Sequence, residues 1–405
     1  MVQTDNSRAI APQAAPHTAT ALLPIMGVVF AAFLVIGVAM PVLPLHVHDG
    51  LGLGTFMVGL VAGSQFAASL ISRPLAGHFS DSRGTKRGVI VGLVAAAAAG
   101  LLYLLSLEFS ASPNISVAIL VAGRGLLGGA ESFVITAAVS WGLTLADAQS
   151  TGKVIAWVGS AMFAAFALGA PAGSALYATY GFAAIAIATA SVPLLALLLV
   201  ARVPAVAADQ HGPSSVASVI GAVWLPGLGS ALGSVGFGSV TTFVALLFAS
   251  RGWDNGWLAY SAYAAAFILA RILFSHMADA IGGAKVALIF VVIEALGQAL
   301  IWLAVLPEMA LAGAALTGFG FSLVYPGFGV EAVRRVPVRS RGLAMGAYTA
   351  FLDLAQGVAS PALGLIATGA RLSSVFLVSG VTVMCAALVA SWLLAHPTTL
   401  EGCSQ

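Results

Sequence analysis

Residues 72–84 read Ser-Arg-Pro-Leu-Ala-Gly-His-Phe-Ser-Asp-Ser-Arg-Gly, and residues 270–282 read Ala-Arg-Ile-Leu-Phe-Ser-His-Met-Ala-Asp-Ala-Ile-Gly. Arg, Leu, His, Asp and Gly recur in the second stretch at a constant offset of 198 residues. Identities of this kind at non-contiguous positions mark an internal repeat. An offset close to half of the 405 residues divides the chain into two parallel copies. Each stretch also closes a long apolar segment and is followed by basic residues: Lys86 and Arg87 in the first copy, Lys285 in the second.

The same alternation extends along the whole chain. Hydrophobic residues make up 60% of the sequence and charged residues 7%, against roughly 25% charged in a soluble domain. So few charges cannot build a water-facing surface, so lipid must cover most of it. Crossing the hydrocarbon core takes about 20 apolar residues, and breaks at Gly, Pro and charged clusters divide the sequence into twelve such segments. The expectation is an all-α integral membrane protein with 12 transmembrane helices in two pseudo-symmetric six-helix halves. The N-terminal tail is placed at 1–21, the first half at 22–201, a linker at 202–218, the second half at 219–395 and a tail at 396–405. The second helix is expected to end at Gly77, with a loop from there to Arg87.

Orientation follows from the basic residues, which favour the cytoplasmic side of a membrane. With a cytoplasmic N-terminus, eleven of the 16 Lys and Arg face that side: Arg8, Arg83, Lys86, Arg87, Lys153, Arg202, Lys285, Arg334, Arg335, Arg339 and Arg341. Arg251 and Arg371 face the other, and Arg73, Arg124 and Arg271 fall inside helices. One missed crossing would reverse every later loop and spoil this asymmetry, so both termini are expected in the cytoplasm.

Other classes find little support. There is no nucleotide-binding loop, no nucleophile–base set and no basic run with interleaved aromatics, so neither an enzyme nor a nucleic-acid binder is expected. Cys385 and Cys403 have no metal-ligand spacing. His46 and His48, with Asp49, are read as solvated residues at a membrane edge. No cofactor or metal is expected.

Charges inside apolar helices are costly and mark candidate sites. Glu131 follows Arg124 by seven residues, two turns along one helix. Asp353 lies near the middle of the eleventh helix and Glu294 in the ninth. A carboxyl group in such a position can bind and release a proton as its access to water changes. Glu331, beside Arg334 and Arg335, reads as a terminal ion pair. Gln65, Tyr260, Tyr263, Tyr325 and Tyr348 can contact a solute or simply pack.

Three segments carry a resemblance to a known family. Gly77 to Arg87 resembles the signature loop of the major facilitator superfamily, G-x-x-x-D-x-x-G-x-K/R-K/R. Gly123 to Glu131 resembles its R-x-x-x-G element, and Gly169-Ala170-Pro171-Ala172-Gly173 its exporters' G-P-x-x-G element, with Ala170 intervening. The whole chain resembles the bacterial YhhS-type, drug-export-like branch. The resemblance implies a proton-coupled carrier of small molecules in the inner membrane, a monomer that exports by antiport, with proton-linked uptake as the alternative. It implies coupling or substrate roles for Arg124, Glu131, Asp353 and Glu294. It also implies a cytoplasmic gate formed by Arg73, Gly77, Asp81, Gly84, Lys86 and Arg87, with Arg271, Asp279 and Gly282 as a weaker second copy, and a bend near a gate at Gly169, Pro171 and Gly173.

Overall fold

The structure, a computed structural model, describes residues 18–145, 151–203, 205, 216–336 and 341–396. Arg8, Arg339, Cys403, most of the expected linker and both tails beyond these limits lie outside the described residues, as do the side chains of Lys153, Asp279 and Arg341.

Twelve helices among the described residues are long and apolar enough to cross a membrane. They are α1 (Thr18–Ala39), α2 (Thr55–Arg83), α3 (Thr85–Glu108), α4 (Pro113–Leu145), α5 (Thr151–Tyr180) and α6 (Phe182–Arg202) in the first half. The second half has α7 (Val216–Ser250), α8 (Trp257–Phe274), α9 (Gly283–Trp302), α10 (Pro307–Arg334), α11 (Arg341–Gly369) and α12 (Ser374–Ala395). Short turns at Leu43–Leu45 and His46–Gly50 extend α1, and Met277–Ile281 extends α8.

The repeat is visible in the backbone. Gly84 turns the chain into α3 at φ 92° and ψ 145°, and Gly282 turns it into α9 at φ 93° and ψ 146°. Only glycine adopts this conformation readily, which explains why it recurs at both places. One expectation needs correction: α2 does not end at Gly77. Residues 78–83 continue the helix and the turn is confined to Gly84.

Helices of one half pack through small residues, as expected where lipid leaves no hydrophobic drive between helices. Gly128 of α4 lies against the Gln65 backbone of α2, and Gly318 of α10 against that of Tyr263 in α8. Gln65 and Tyr263 are themselves related by the offset of 198, so the two crossings are copies. Between the halves, the main packing is α2 on α11 and α5 on α8. Gly59 meets Ser360 and Gly63 meets Gly357 across the first interface. Thr55 Oγ1 donates to the Gly364 carbonyl at 2.8 Å and lies 2.9 Å from the Thr368 hydroxyl. Together these contacts join α2 and α11 on the side away from the termini.

One of the two edge histidines differs from expectation. His48 is exposed, but His46 is buried and stacks on Phe182 at 3.9 Å between centroids. The shared apolar interior at the end of α1 takes it out of water.

Candidate functional site

Gln65, Ser69 and Arg73 recur every four residues on α2 and therefore share one face. This face is a polar ladder inside a membrane helix. Gln65 Nε2 donates to Glu131 Oε2 of α4 at 2.6 Å. Ser69 and Ser132 exchange hydroxyl contacts at 2.9 Å, and the Ser132 hydroxyl also donates to the Ser69 carbonyl. Arg73 reaches across to the other half, where Nε and Nη2 donate to Asp353 Oδ2 of α11 at 2.8 and 2.5 Å. Side-chain exposure is 18% for Arg73 and 3% for Asp353. Charge-assisted bonds in so dry a setting are strong, and the loss of one partner strands the other charge.

Tyr325 of α10 lies in the electrostatic neighbourhood of Arg73, Asp353 and Arg271. Its hydroxyl contacts Thr349 at 2.7 Å, and its carbonyl accepts from Tyr348 at 2.6 Å. The cluster therefore draws on α2, α4, α8, α10 and α11. On the side away from the termini it meets aromatic rings. Phe237 stacks on Phe321 at 5.8 Å, Phe163 of α5 stacks on Phe267 of α8 at 3.5 Å, and Phe66 of α2 meets Phe237 of α7 edge-on. These rings join the two halves above the charges.

The other expected site residues lie elsewhere. Arg124 is buried at 5% exposure beside Tyr103 of α3, and its Nε and Nη1 have no hydrogen-bond partner. It forms no bond to Glu131, which turns towards Gln65. Glu294 is fully buried inside the second half against Gly236 and Gly320, and neither oxygen has a partner. It is outside the Arg73 cluster. Its neighbour Gln298 is bonded to Ser239 at 2.8 Å and Thr317 at 3.2 Å. Gln356 donates to the Ser234 carbonyl and helps hold α11 on α7.

Of the expected gate residues, Arg73 links the halves through Asp353, whereas among the described residues Gly77, Asp81, Lys86 and Arg87 make no such link in this conformation. A methyl group built on Gly77 meets nothing within 4 Å. Asp81 is exposed and, among the described residues, has no ion pair. Lys86 instead donates to the carbonyls of Ala201 and Val203 at 3.3 and 2.7 Å, capping α6 within its own half. Arg87 is exposed, and Arg83 lies 5.4 Å from the Phe79 ring centre. The reason is geometric. Among the described residues, the last side-chain bond between α2 and α11 towards the termini is Arg73–Asp353, and Gly77 lies one turn beyond it. In the second copy, Gly282 forms the turn and Arg271 faces Gly159 of α5.

Gly169 and Gly173 pack against the backbone of Gly37 and Val38 in α1, with Pro171 between them inside α5. Glu331 accepts from the Ala284 amide at 3.3 Å and approaches Arg334 at 3.8 Å, as a terminal pair should. No group of three or more potential metal-ligating side chains occurs among the described residues. A cavity of about 480 Å³, lined by His48, Asp49, Thr55, Ser250 and Thr368 among others, opens on the far face above the α2–α11 contacts. It is separate from the charged cluster.

The Major Facilitator Superfamily pattern matches residues 25–260 and 255–403. The chain belongs to the Major Facilitator Superfamily. It is similar to an uncharacterized MFS-type transporter of Pseudomonas aeruginosa (strain LESB58), with 43% identity over 353 residues that cover 86% of this chain and 87% of that protein. Its fold matches that of a mutant of the nucleoside transporter NupG, with TM-score 0.75 at 13% identity over 92% of this chain and 99% of the other. It also matches a D-xylose–proton symporter, with TM-score 0.74 at 15% identity over 91% and 97%. The protein is thus a multi-pass membrane transporter of the secondary type, not an enzyme.

Sequence reasoning named Arg73 and Asp353 for different tasks and missed Ser69 and Ser132. The available signal was a lone Arg and a lone Asp, each stranded in an apolar helix and each needing a partner.

Proposed function

We propose that this transporter is a proton-coupled exporter of a small organic molecule, an antiporter working by alternating access. The observation that carries the proposal is the Arg73–Asp353 pair, which bridges the two halves inside the membrane with Glu131 alongside. A proton on Asp353 removes the charge that holds Arg73, so protonation loosens the contact that keeps α2 on α11. This gives a two-state element whose balance both proton and solute can shift. Glu131, held only by a neutral amide, is the second proton carrier. Arg124 and Glu294, buried within their own halves, tune the charge of each half.

The export direction rests on the α1–α5 packing through Gly169 and Gly173, the segment that resembles the exporters' element. We place the protein in the bacterial inner membrane as a monomer, with both termini cytoplasmic and halves at 22–201 and 219–395. A membrane potential of 100 mV supplies about 2.3 kcal/mol per charge, or about fifty-fold accumulation per proton.

The test begins with a thermal-shift screen on purified protein. A stabilising compound is then followed into inside-out and right-side-out vesicles under an imposed proton gradient. Accumulation in inside-out vesicles with an acidic interior supports export. Accumulation only in right-side-out vesicles under an inward gradient replaces export with uptake.

A further inference from the structure

The repeat sets two arginines at matching places, Arg73 on α2 and Arg271 on α8, and the structure treats them differently. Arg73 is met from the opposite half by Asp353 of α11. Arg271 is met from the opposite half by α5, which presents Gly159 and no carboxylate. Among the described residues, no Asp or Glu oxygen comes within 4 Å of the Arg271 guanidinium. Its guanidinium carbon lies 5.1 Å from the centre of the Phe267 ring. A guanidinium always carries its charge and offers a planar fork of donors matched to a carboxylate. In an apolar helix it is expensive to keep without an anion.

The surroundings also differ between the copies. The face of α2 that ends in Arg73 carries Gln65 and Ser69. The matching face of α8 carries Tyr263 and Phe267, which continue into Phe163, Phe237 and Phe321. One copy is therefore a satisfied polar ladder. The other is an aromatic wall ending in a half-buried cation beside Tyr325 that no carboxylate of the described residues reaches.

We propose that Arg271 binds the anionic group of the transported solute, and that the solute is an organic anion, such as a carboxylate, with an apolar, ring-sized body. Its head takes the place that Asp353 holds in the other copy, and its body lies against the aromatic wall. The inference rests on the transport reading for the word solute, but binding itself requires no transport.

Two matched series test it on the purified full-length protein: 2-naphthoate, 2-naphthamide and 2-naphthylmethylammonium, and indole-3-acetate, indole-3-acetamide and tryptamine. Binding is read by thermal shift and by tryptophan-fluorescence titration. In at least one series the acid binds at least tenfold more tightly than its amide and ammonium partners. Arg271→Gln removes that preference and Arg271→Lys restores part of it, since Lys keeps the charge but not the fork. Size-exclusion profiles and unliganded melting temperatures verify that both variants are folded; if Arg271→Gln is unfolded, Phe267→Leu, which keeps the guanidinium, should weaken the acids while leaving their preference over the amides. Sodium chloride and phosphate at matched ionic strength should not compete; competition by either means the site takes inorganic anions and overturns the organic half of the proposal. Equal or tighter binding of the amides or amines, no binding by either acid, or an unchanged acid preference in folded Arg271→Gln overturns it altogether. Acid binding without flux in vesicles leaves this inference standing and refutes the transport reading. Flux of a cation refutes the inference and leaves transport intact.

Discussion

At the scale of single residues, proton coupling depends on a charge pair, Arg73 and Asp353, that neither half holds alone. Asp353→Asn keeps the size and a hydrogen-bonding oxygen but cannot exchange a proton. It is expected to insert and bind solute normally while losing gradient-driven flux, as measured by uptake into vesicles alongside a binding titration. Arg73→Ala leaves a carboxylate stranded in the membrane and should cost about 3 kcal/mol of stability. The Arg73→Ala/Asp353→Ala double variant should cost less than either single change suggests, which a double-mutant cycle of melting curves would reveal. The pairing was not legible in the sequence because its partners are 280 residues apart. An isolated Arg or Asp in an apolar helix announces that it needs a counterpart but not which one. Glu294 shows the reverse failure. Its burial was legible from its apolar helix, but its separation from the site depends on how α9 packs behind α7 and α10.

At the scale of helices, the sequence was read most reliably where lipid dictates the answer. Twelve apolar runs, the breaks between them and the repeated glycine turn at Gly84 and Gly282 follow from span length and backbone sterics. The end of α2 was misread because Gly77 and the polar residues after it look like a loop. Thr85 starts the next helix immediately after Gly84, so a single left-handed glycine suffices to reverse the chain. Packing predicts different consequences for different glycines. Gly173→Leu pushes a side chain into the Val38 backbone and should destabilise the protein by about 1–3 kcal/mol. Gly77→Ala adds a methyl group into open space on an existing helix and should leave the melting temperature unchanged or slightly raised. Melting both variants in the same detergent checks the contrast.

At the scale of the whole molecule, the halves are joined on the face away from the termini, and among the described residues no side-chain bond joins α2 to α11 beyond Arg73. Gly59 meets Ser360, and Gly63 meets Gly357. Gly77 of α2 and Gly346 of α11 both lie beyond the Arg73–Asp353 pair on the termini side, and a methyl group on either meets nothing within 4 Å. These two glycines allow α2 and α11 to approach on the termini side when the far side opens. A Thr55→Cys/Thr368→Cys pair should therefore cross-link in the present conformation and arrest flux. A Gly77→Cys/Gly346→Cys pair should cross-link only after solute or proton has driven the other state.

Gradient-driven flux of a stabilising solute in inside-out vesicles with an acidic interior decides whether the Arg73–Asp353 pair couples protons to transport. The expected result is accumulation that a protonophore collapses and that Asp353→Asn and Glu131→Gln abolish while solute binding survives. Accumulation indifferent to the proton gradient, or undiminished in Asp353→Asn, would contradict it.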